Sequence, residues 1–489
     1  MTLRSRLRRV RQALLLAGAT LTLTASALVA AGAGASAPAA MAASSLPCDI
    51  YAAGGTPCVA AYSTVRALYG SYDGSLYQVQ RSDGSYLNIG LTSAGGDVNA
   101  APQVSFCAGT TCTITKIYDQ SSHHSDLPIS WGGFWHGPGP NGSDVGANAM
   151  ALPVTINGNQ AFGVRITPGT GYRVDNITVP TGSQPEGVYM VTSSNLYNNQ
   201  CCFDFGSGEV SHDDTGNGHM NAIEFGSACW FGGCTGPGPW VEADLENGMY
   251  STSTGPNTAN NPGVQDPFVS AWEKNNGTSN FTLKYGNAAS GGLTTTWSGP
   301  LPNGYSPMHE EADILLGTGG DNSNGASGEF FEGAVTSGYP SDATENAVQA
   351  ELTTAGYAQT SAPQGPITAG DDSAKCVDDS AFSTANGNKI QMWDCTGGVN
   401  QQWTVQPDGT LQVYGKCMDI TGANYGNGTL IELWTCNGGA NQQWKASNGT
   451  LVNPASGKCL DDPGSNTANG TQLILWTCNG GTNQQWHLP

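Results

Sequence analysis

The stretch Trp240-Val241-Glu242-Ala243-Asp244-Leu245-Glu246-Asn247-Gly248 sets two carboxylates, Asp244 and Glu246, two residues apart in a run that glycine closes. In an extended segment a period of two turns both side chains to one face. Bases are scarce in this chain, so such acids have few ion-pair partners, which points to a shared polar cleft. Paired acids on one cleft are the machinery of glycosidic hydrolysis: one carboxyl protonates the leaving oxygen while the other attacks carbon or activates water. Surface acids are common, and the pair gains meaning only from the elements that position it.

The chain has 489 residues, enough for two or three domains with real cores. Arg4, Arg6, Arg8, Arg9 and Arg11 precede the apolar run 13–17 and a stretch rich in Ala, Gly and Ser, the pattern of a secretory leader over 1–45. Without those five arginines, 12 basic residues face 38 acidic ones, a formal charge of −26. Nucleic acid and anionic membrane surfaces need basic patches and are disfavoured as partners. A neutral polysaccharide meets no such repulsion. No later apolar stretch is long enough for a membrane helix. The 68 glycines, with many Asn, Ser and Thr, indicate turn-rich β structure.

All 14 cysteines follow the leader, which favours disulfides over metal thiolates. Their spacing is local, and near-neighbour pairing is the simple proposal: Cys48 with Cys58, Cys107 with Cys112, Cys201 with Cys202, Cys229 with Cys234, Cys376 with Cys395, Cys417 with Cys436, and Cys459 with Cys478.

Residues 46–360 read as short strands between Gly/Asn/Asp turns, with helices expected over 64–72 and, capped by Asp342, over 342–357. An all-β unit of this length is best explained as two large packed sheets, a β-sandwich. A Pro-bearing linker is expected over 361–370. Over 371–489, Cys376-Val377-Asp378, Cys417-Met418-Asp419 and Cys459-Leu460-Asp461 recur at intervals of 41 and 42 residues. Each repeat carries an apolar-Trp pair before its second cysteine and closes on Asn-Gln-Gln-Trp. Three units that cannot fold alone must share a core, as in a closed three-fold set of hairpins.

These repeated signatures resemble the ricin-type β-trefoil lectins, the family 13 carbohydrate-binding modules. The resemblance implies three sugar sites: Asp378, Trp393 and Asn400; Asp419, Trp434 and Asn441; and Asp461, Trp476 and Asn483. In each, the carboxylate and amide would fix hydroxyls while the indole stacks on the apolar face of the ring. The Gln after each Asn would hold the Asp, and Trp403, Trp444 and Trp486 would fill the core. Gln391, two residues before Trp393, becomes Glu432 and Ile474 in the other repeats, so the third site has lost a polar group.

The larger unit resembles the catalytic domain of family 54 α-L-arabinofuranosidases. The resemblance rests on six stretches in order, beginning at Cys48-Asp49-Ile50-Tyr51 and at Cys107-Ala108-Gly109-Thr110-Thr111-Cys112. Cys201-Cys202-Phe203-Asp204, Gly216-Asn217-Gly218-His219-Met220, the run around Asp244, and Gly319-Gly320-Asp321-Asn322 complete them. It implies hydrolysis of terminal arabinofuranosyl groups with retention, Glu246 as nucleophile and Asp321 as general acid/base. Asp244, Asn247 and Gly320 would bind the sugar, against a vicinal Cys201–Cys202 disulfide. An aromatic residue of the sugar site falls at Trp230 or Phe231. Retention requires the two carboxyls about 5 to 5.5 Å apart, with the raised pKa on the acid. Asn221 stands where the family pattern carries Glu, and the ricin-type module replaces the family's usual arabinose-binding trefoil, so xylan or a galactose-bearing chain is as reasonable a target as arabinan.

The expected partner is therefore an arabinose-bearing plant polysaccharide, acted on by a secreted, extracellular monomer that needs no metal or cofactor. A β-xylosidase or galactofuranosidase on the same scaffold, or a non-catalytic polysaccharide-binding protein, is the alternative. His123, His124 and Asp126 lack the spacing of a zinc site.

Overall fold

The computed structural model describes residues 45–107, 110–360, 363–406 and 408–489. Apart from Ser45, the expected leader lies outside the described residues. The larger module has a four-stranded sheet (Tyr86–Gly90, Ser75–Arg81, Cys112–Ile117, Leu127–Pro128) and a three-stranded one (Ala358–Gln359, Pro153–Ile156, Asn159–Phe162), and its core is formed by two larger antiparallel sheets. One runs Cys58–Ser63, Gly328–Ser337, Glu186–Thr192, Val269–Asn275, Asn280–Asn287 and Ser290–Pro300, with Val164–Ile166 added beside Gly328–Ser337. The other runs Met249–Tyr250, Trp240–Asp244, Asn221–Gly226, Asp204–Ser207, Asp313–Leu316 and Tyr172–Asp175.

Strand alternation sorts the side chains. Phe205, Ile223, Phe225, Val241 and Ala243 of the second sheet meet Val188, Met190, Ala271 and Leu283 of the first in one buried cluster. Every residue of Glu186–Thr192 and Val269–Asn275 is buried, because the first sheet is covered on its other side too. There the helix Asp342–Leu352 lies across it, and Glu345 receives the ammonium groups of Lys274 at 2.8 Å and Lys284 at 2.5 Å. These two lysines thus serve as interior clamps. Arg66 similarly bridges Glu332 and Glu351.

The helix expected over 64–72 does not form. Ala67 N–H donates to the Gly96 carbonyl, Leu68 N–H is taken by Gln120, and the Val65 carbonyl accepts Val98 N–H. Tertiary partners have consumed the backbone groups a helix would need. A helix forms instead at Pro47–Ala53, with proline in its first turn. The later helix is capped by Ser341 rather than Asp342, through a 3.1 Å bond from Thr344 N–H. It ends at Leu352 rather than 357, before Gly356 at φ +70°.

The smaller module is a β-trefoil. Trp403, Trp444 and Trp486 fill its centre with Val377, Met418, Leu460, Leu433 and Leu475, each indole N–H donating to a backbone carbonyl of its own repeat. Strands begin inside the segment expected to be linker: Gln364–Gly365 pairs with Trp403–Val405, and Thr368–Ala369 with Lys375–Asp379 and Trp486–His487. Their backbone groups are satisfied by the trefoil, so most of that segment is part of the domain.

Candidate active site

The second sheet turns its outer face to a cleft of about 660 Å³. Trp240–Asp244 carries Asp244 into it, but the strand ends there. Glu246 therefore does not share the face by strand alternation, as its spacing suggested. A turn delivers it: Glu246 and Asn247 adopt φ +68° and +57°, a left-handed conformation costly for side chains bearing a Cβ. Asp244 Oδ1 accepts the Glu246 N–H at 3.1 Å, and Tyr305 donates its hydroxyl to the Glu246 carbonyl, which holds the turn. The strand residue sharing the Asp244 face is Glu242.

The opposite wall is the loop after Asp313–Leu316, which brings Gly320 and Asp321 to the cleft. Asp321 Oδ1 accepts the Ser323 N–H at 2.9 Å. Arg173, fully buried, donates to the carbonyls of Gly319 and Gly320 at 2.8 Å each and pairs with Asp313 at 3.0 Å. A Cβ on Gly320 would sit 2.8 Å from both Glu209 Oε2 and Glu246 Oε2, so only glycine permits this closeness.

Cys201 and Cys202 are disulfide-bonded to each other at the cleft, with Cys202 Sγ 3.7 Å from Asp244 Oδ2. The other cysteines pair Cys48–Cys58, Cys107–Cys112, Cys229–Cys234, Cys376–Cys395, Cys417–Cys436 and Cys459–Cys478. Asn247 and Trp230 line the same cleft. Phe231 does not; its ring packs on Tyr250 with centroids 4.8 Å apart. Four residues of the site carry no motif in the sequence: Arg173, Glu209, Phe134 and Trp135. The last two are exposed aromatics on the cleft rim, a signal that hydrophobicity alone marks as unusual.

The electrostatics are those of crowded, buried acids. Asp204, Glu224 and Glu242 stand opposite one another across three strands, next to Asp244. Burial, the largest cause in each case, pushes Glu242 up to about 8, and Glu224 and Asp244 up to about 7. Glu246 rises further, to about 10, through burial first, then through the nearby carboxylates of Asp244 and Glu209. The rise at Glu246 reflects an enclosed carboxyl with three acidic neighbours, Asp244, Glu209 and Asp214. Glu209 is buried; its Oε1 is held by Thr215 N–H at 2.6 Å and by the Thr215 hydroxyl, while its Oε2 has no hydrogen-bond partner. Oxygens of Glu209, Asp214 and Glu246 lie within 4.8 Å of one another, a hard-donor set.

In the trefoil the three repeats superpose one design. Asn400 and Gln401 donate to Asp378 at 2.8 and 2.9 Å, Asn441 and Gln442 to Asp419 at 2.8 Å each, and Asn483 and Gln484 to Asp461 at 3.0 and 2.6 Å. Trp393, Trp434 and Trp476 keep 38, 38 and 40 % of their surface exposed, unlike the core tryptophans. Gln391 gives Asp378 a further bond at 3.0 Å, which neither Glu432 nor Ile474 supplies to its own repeat.

Fold and site together define a two-module β protein: a sandwich with an acid-lined cleft of the kind that handles glycosidic bonds, and a trefoil with exposed indoles beside buried carboxylates. Comparison with known proteins sharpens this. Residues 47–358 match the family model described as "Alpha-L-arabinofuranosidase B, catalytic", and residues 363–486 that of the ricin-type beta-trefoil lectin domain. The chain belongs to the arabinofuranosidase B family, with a ricin-type trefoil as its second module. A probable alpha-L-arabinofuranosidase B of Aspergillus clavatus is 54 % identical over 329 residues, 66 % of this chain and 65 % of that protein. An arabinofuranosidase/B-xylosidase of Trichoderma koningii is 51 % identical over 335 residues, 67 % of this chain and 66 % of its own length. The match thus spans just under two thirds of these relatives. A crystal structure of an arabinofuranosidase complexed with arabinofuranosyl-alpha-1,2-xylobiose matches with a TM-score of 0.67 at 34 % identity, over 90 % of this chain and 98 % of that one. Among the described residues no helix is long and apolar enough to cross a membrane, and the seven disulfides suit an oxidising compartment.

Proposed function

We propose that this protein is a secreted, exo-acting, retaining α-L-arabinofuranosidase that removes terminal arabinofuranosyl groups from plant polysaccharide, to which its trefoil binds. The observation that carries the reading is the meeting of Glu246, Asp321, Asp244 and the Cys201–Cys202 disulfide around one cleft, from stretches 120 residues apart in sequence. Asp321 protonates the glycosidic oxygen as Glu246 attacks the anomeric carbon; Asp321 then takes a proton from the water that releases arabinose. Asp244, Asn247 and the Gly320 backbone bind the furanose hydroxyls, and the disulfide and Trp230 bound the ring.

Before attack Glu246 must be ionised. Glu209, with a carboxylate oxygen within 4.8 Å of one of Glu246, is the group placed to take its proton, so that the charge need not be made by exchange with bulk water. The trefoil tethers the enzyme through Asp378, Trp393 and Asn400, Asp419, Trp434 and Asn441, and Asp461, Trp476 and Asn483. The test is arabinose release from arabinoxylan and arabinan by the intact protein, by Glu246→Gln, and by a variant with Asp378, Asp419 and Asp461 all changed to Ala. Loss of release in Glu246→Gln, with loss only on polymer in the triple variant, is expected; release retained by Glu246→Gln would overturn the nucleophile.

A further inference from the structure

The loop that carries Phe134 and Trp135 is fixed at its backbone and free at its side chains. Trp135 N–H donates to the Asp321 carbonyl at 3.1 Å, and Asn322 Nδ2 donates to the Trp135 carbonyl at 3.2 Å. Phe134 N–H donates to the His212 carbonyl at 2.9 Å. Trp131 stacks on the His212 ring with centroids 5.4 Å apart, and His212 is tied to Asp175 at 3.1 Å. Gly133 lies so close to the backbone carbonyls of His212 and Asp321 that a Cβ there would collide with His212. Yet Phe134 and Trp135 leave 67 and 54 % of their surfaces to solvent. Their rings meet edge to face, at 82° and 5.5 Å, and both line the cleft. A rigid loop that holds out two large apolar rings forgoes their burial, which asks for an occupant.

We infer that Phe134 and Trp135 form the binding site for the aglycone: a corner that takes one neutral pyranose ring of the polysaccharide backbone bearing the arabinose. The inference rests on the reading of Asp321 as the acid. An acid that protonates the glycosidic oxygen stands between the departing sugar and its leaving group, and this loop is bonded to the Asp321 loop directly. One perpendicular pair of rings offers a floor and a wall for a single sugar rather than a strip for several. A pyranose chair whose substituents are equatorial presents a flat face of axial C–H bonds, the complement of an aromatic face, whereas a puckered furanose presents less. The ionisable side chains lining the cleft are Asp214, Asp244, Glu246 and Asp321, all acidic, so a uronic-acid backbone would be repelled and a neutral xylan-type backbone is not.

The experiment compares kcat/KM for arabinose release from an arabinosylated xylo-oligosaccharide, from an arabino-oligosaccharide, and from methyl α-L-arabinofuranoside, which has almost no aglycone. In Phe134→Ala and Trp135→Ala, the ratio of the xylo-oligosaccharide value to the methyl glycoside value should fall about fivefold to tenfold, through KM. Trp135→Phe should recover part of the loss. A loop that merely props Asp321 would lower both substrates alike, and an unchanged ratio overturns the inference. An equal fall in the ratio for the arabino-oligosaccharide overturns the assignment to a pyranose. Failure of the wild-type protein to release arabinose from the methyl glycoside would instead count against the proposed activity itself.

Discussion

Glu242 offers a measurable consequence of packing acids under the cleft. Its side chain is 2 % exposed on the strand Trp240–Asp244; one oxygen accepts from the Ser251 hydroxyl at 2.8 Å and the other has no partner. Burial holds its carboxyl up to about 8, against an ordinary value of 4.5. In the folded protein it therefore keeps its proton at pH values where the unfolded chain has lost it. The stability it contributes is fully present below about pH 4.5 and is lost as pH rises towards 8, at about 1.4 kcal/mol per pH unit. Between pH 5 and pH 7 this single group accounts for about 2 to 3 kcal/mol of lost stability. Glu242→Gln keeps the shape and the Ser251 contact but cannot ionise. Calorimetric unfolding at pH 5, 6 and 7 should show the wild-type sandwich weakening with pH, and the variant weakening by about 2 to 3 kcal/mol less, about 4 to 12 °C in midpoint at about 2 to 4 °C per kcal/mol. Glu242 does not line the cleft, so hydrolysis at pH 5 should persist in the variant. If wild type and Glu242→Gln lose stability in parallel between pH 5 and 7, Glu242 is ionised in the folded state and the argument for a protonated acid row is wrong.

Other outcomes follow from the same geometry. Glu209→Gln removes the acceptor beside Glu246, so kcat on 4-nitrophenyl α-L-arabinofuranoside should fall about tenfold or more, while Glu209→Asp retains part of it; equal rates in wild type and Glu209→Gln would remove Glu209 from the mechanism. Arg173→Lys cannot span Asp313 and the carbonyls of Gly319 and Gly320 at once, so kcat should fall about tenfold with little change in KM; an unaltered kcat would show that the Asp321 loop is held by other contacts. Ile474→Gln gives Asp461 the amide partner that Gln391 gives Asp378, worth about 1 kcal/mol. Calorimetric sugar titration should then show tighter binding at the third site, and unchanged binding would mean that the Asn483 and Gln484 bonds suffice.

The sequence exposed local and repeated features far better than three-dimensional convergence. The trefoil was legible because each repeat states its own geometry: a disulfide of fixed spacing, a carboxylate held by the following Asn-Gln, and a core tryptophan. Glu186–Thr192 and Cys112–Ile117 were readable as strands from short β-rich runs between turns. The helix expected over 64–72 failed because its apolar spacing was real but its Ala67 and Leu68 N–H groups went to Gly96 and Gln120, partners that only the folded chain supplies. In the cleft, Asp244 and Glu246 were found for a reason only half right, since a left-handed turn and not strand alternation brings the second carboxyl round. Arg173, Glu209, Phe134 and Trp135 belong to no local pattern. They reach the site because strands distant in sequence are neighbours in a sheet, or because a loop docks on another loop, and single-chain periodicity carries no record of that.

The central claim is double displacement by Glu246 and Asp321 on an α-L-arabinofuranoside. It is tested most directly by proton NMR of the arabinose first released from methyl α-L-arabinofuranoside, before mutarotation, with Glu246→Gln as the control. The account predicts the α anomer as first product from the wild-type protein and none from the variant. The β anomer as first product, or release of arabinose by Glu246→Gln at the wild-type rate, would contradict it.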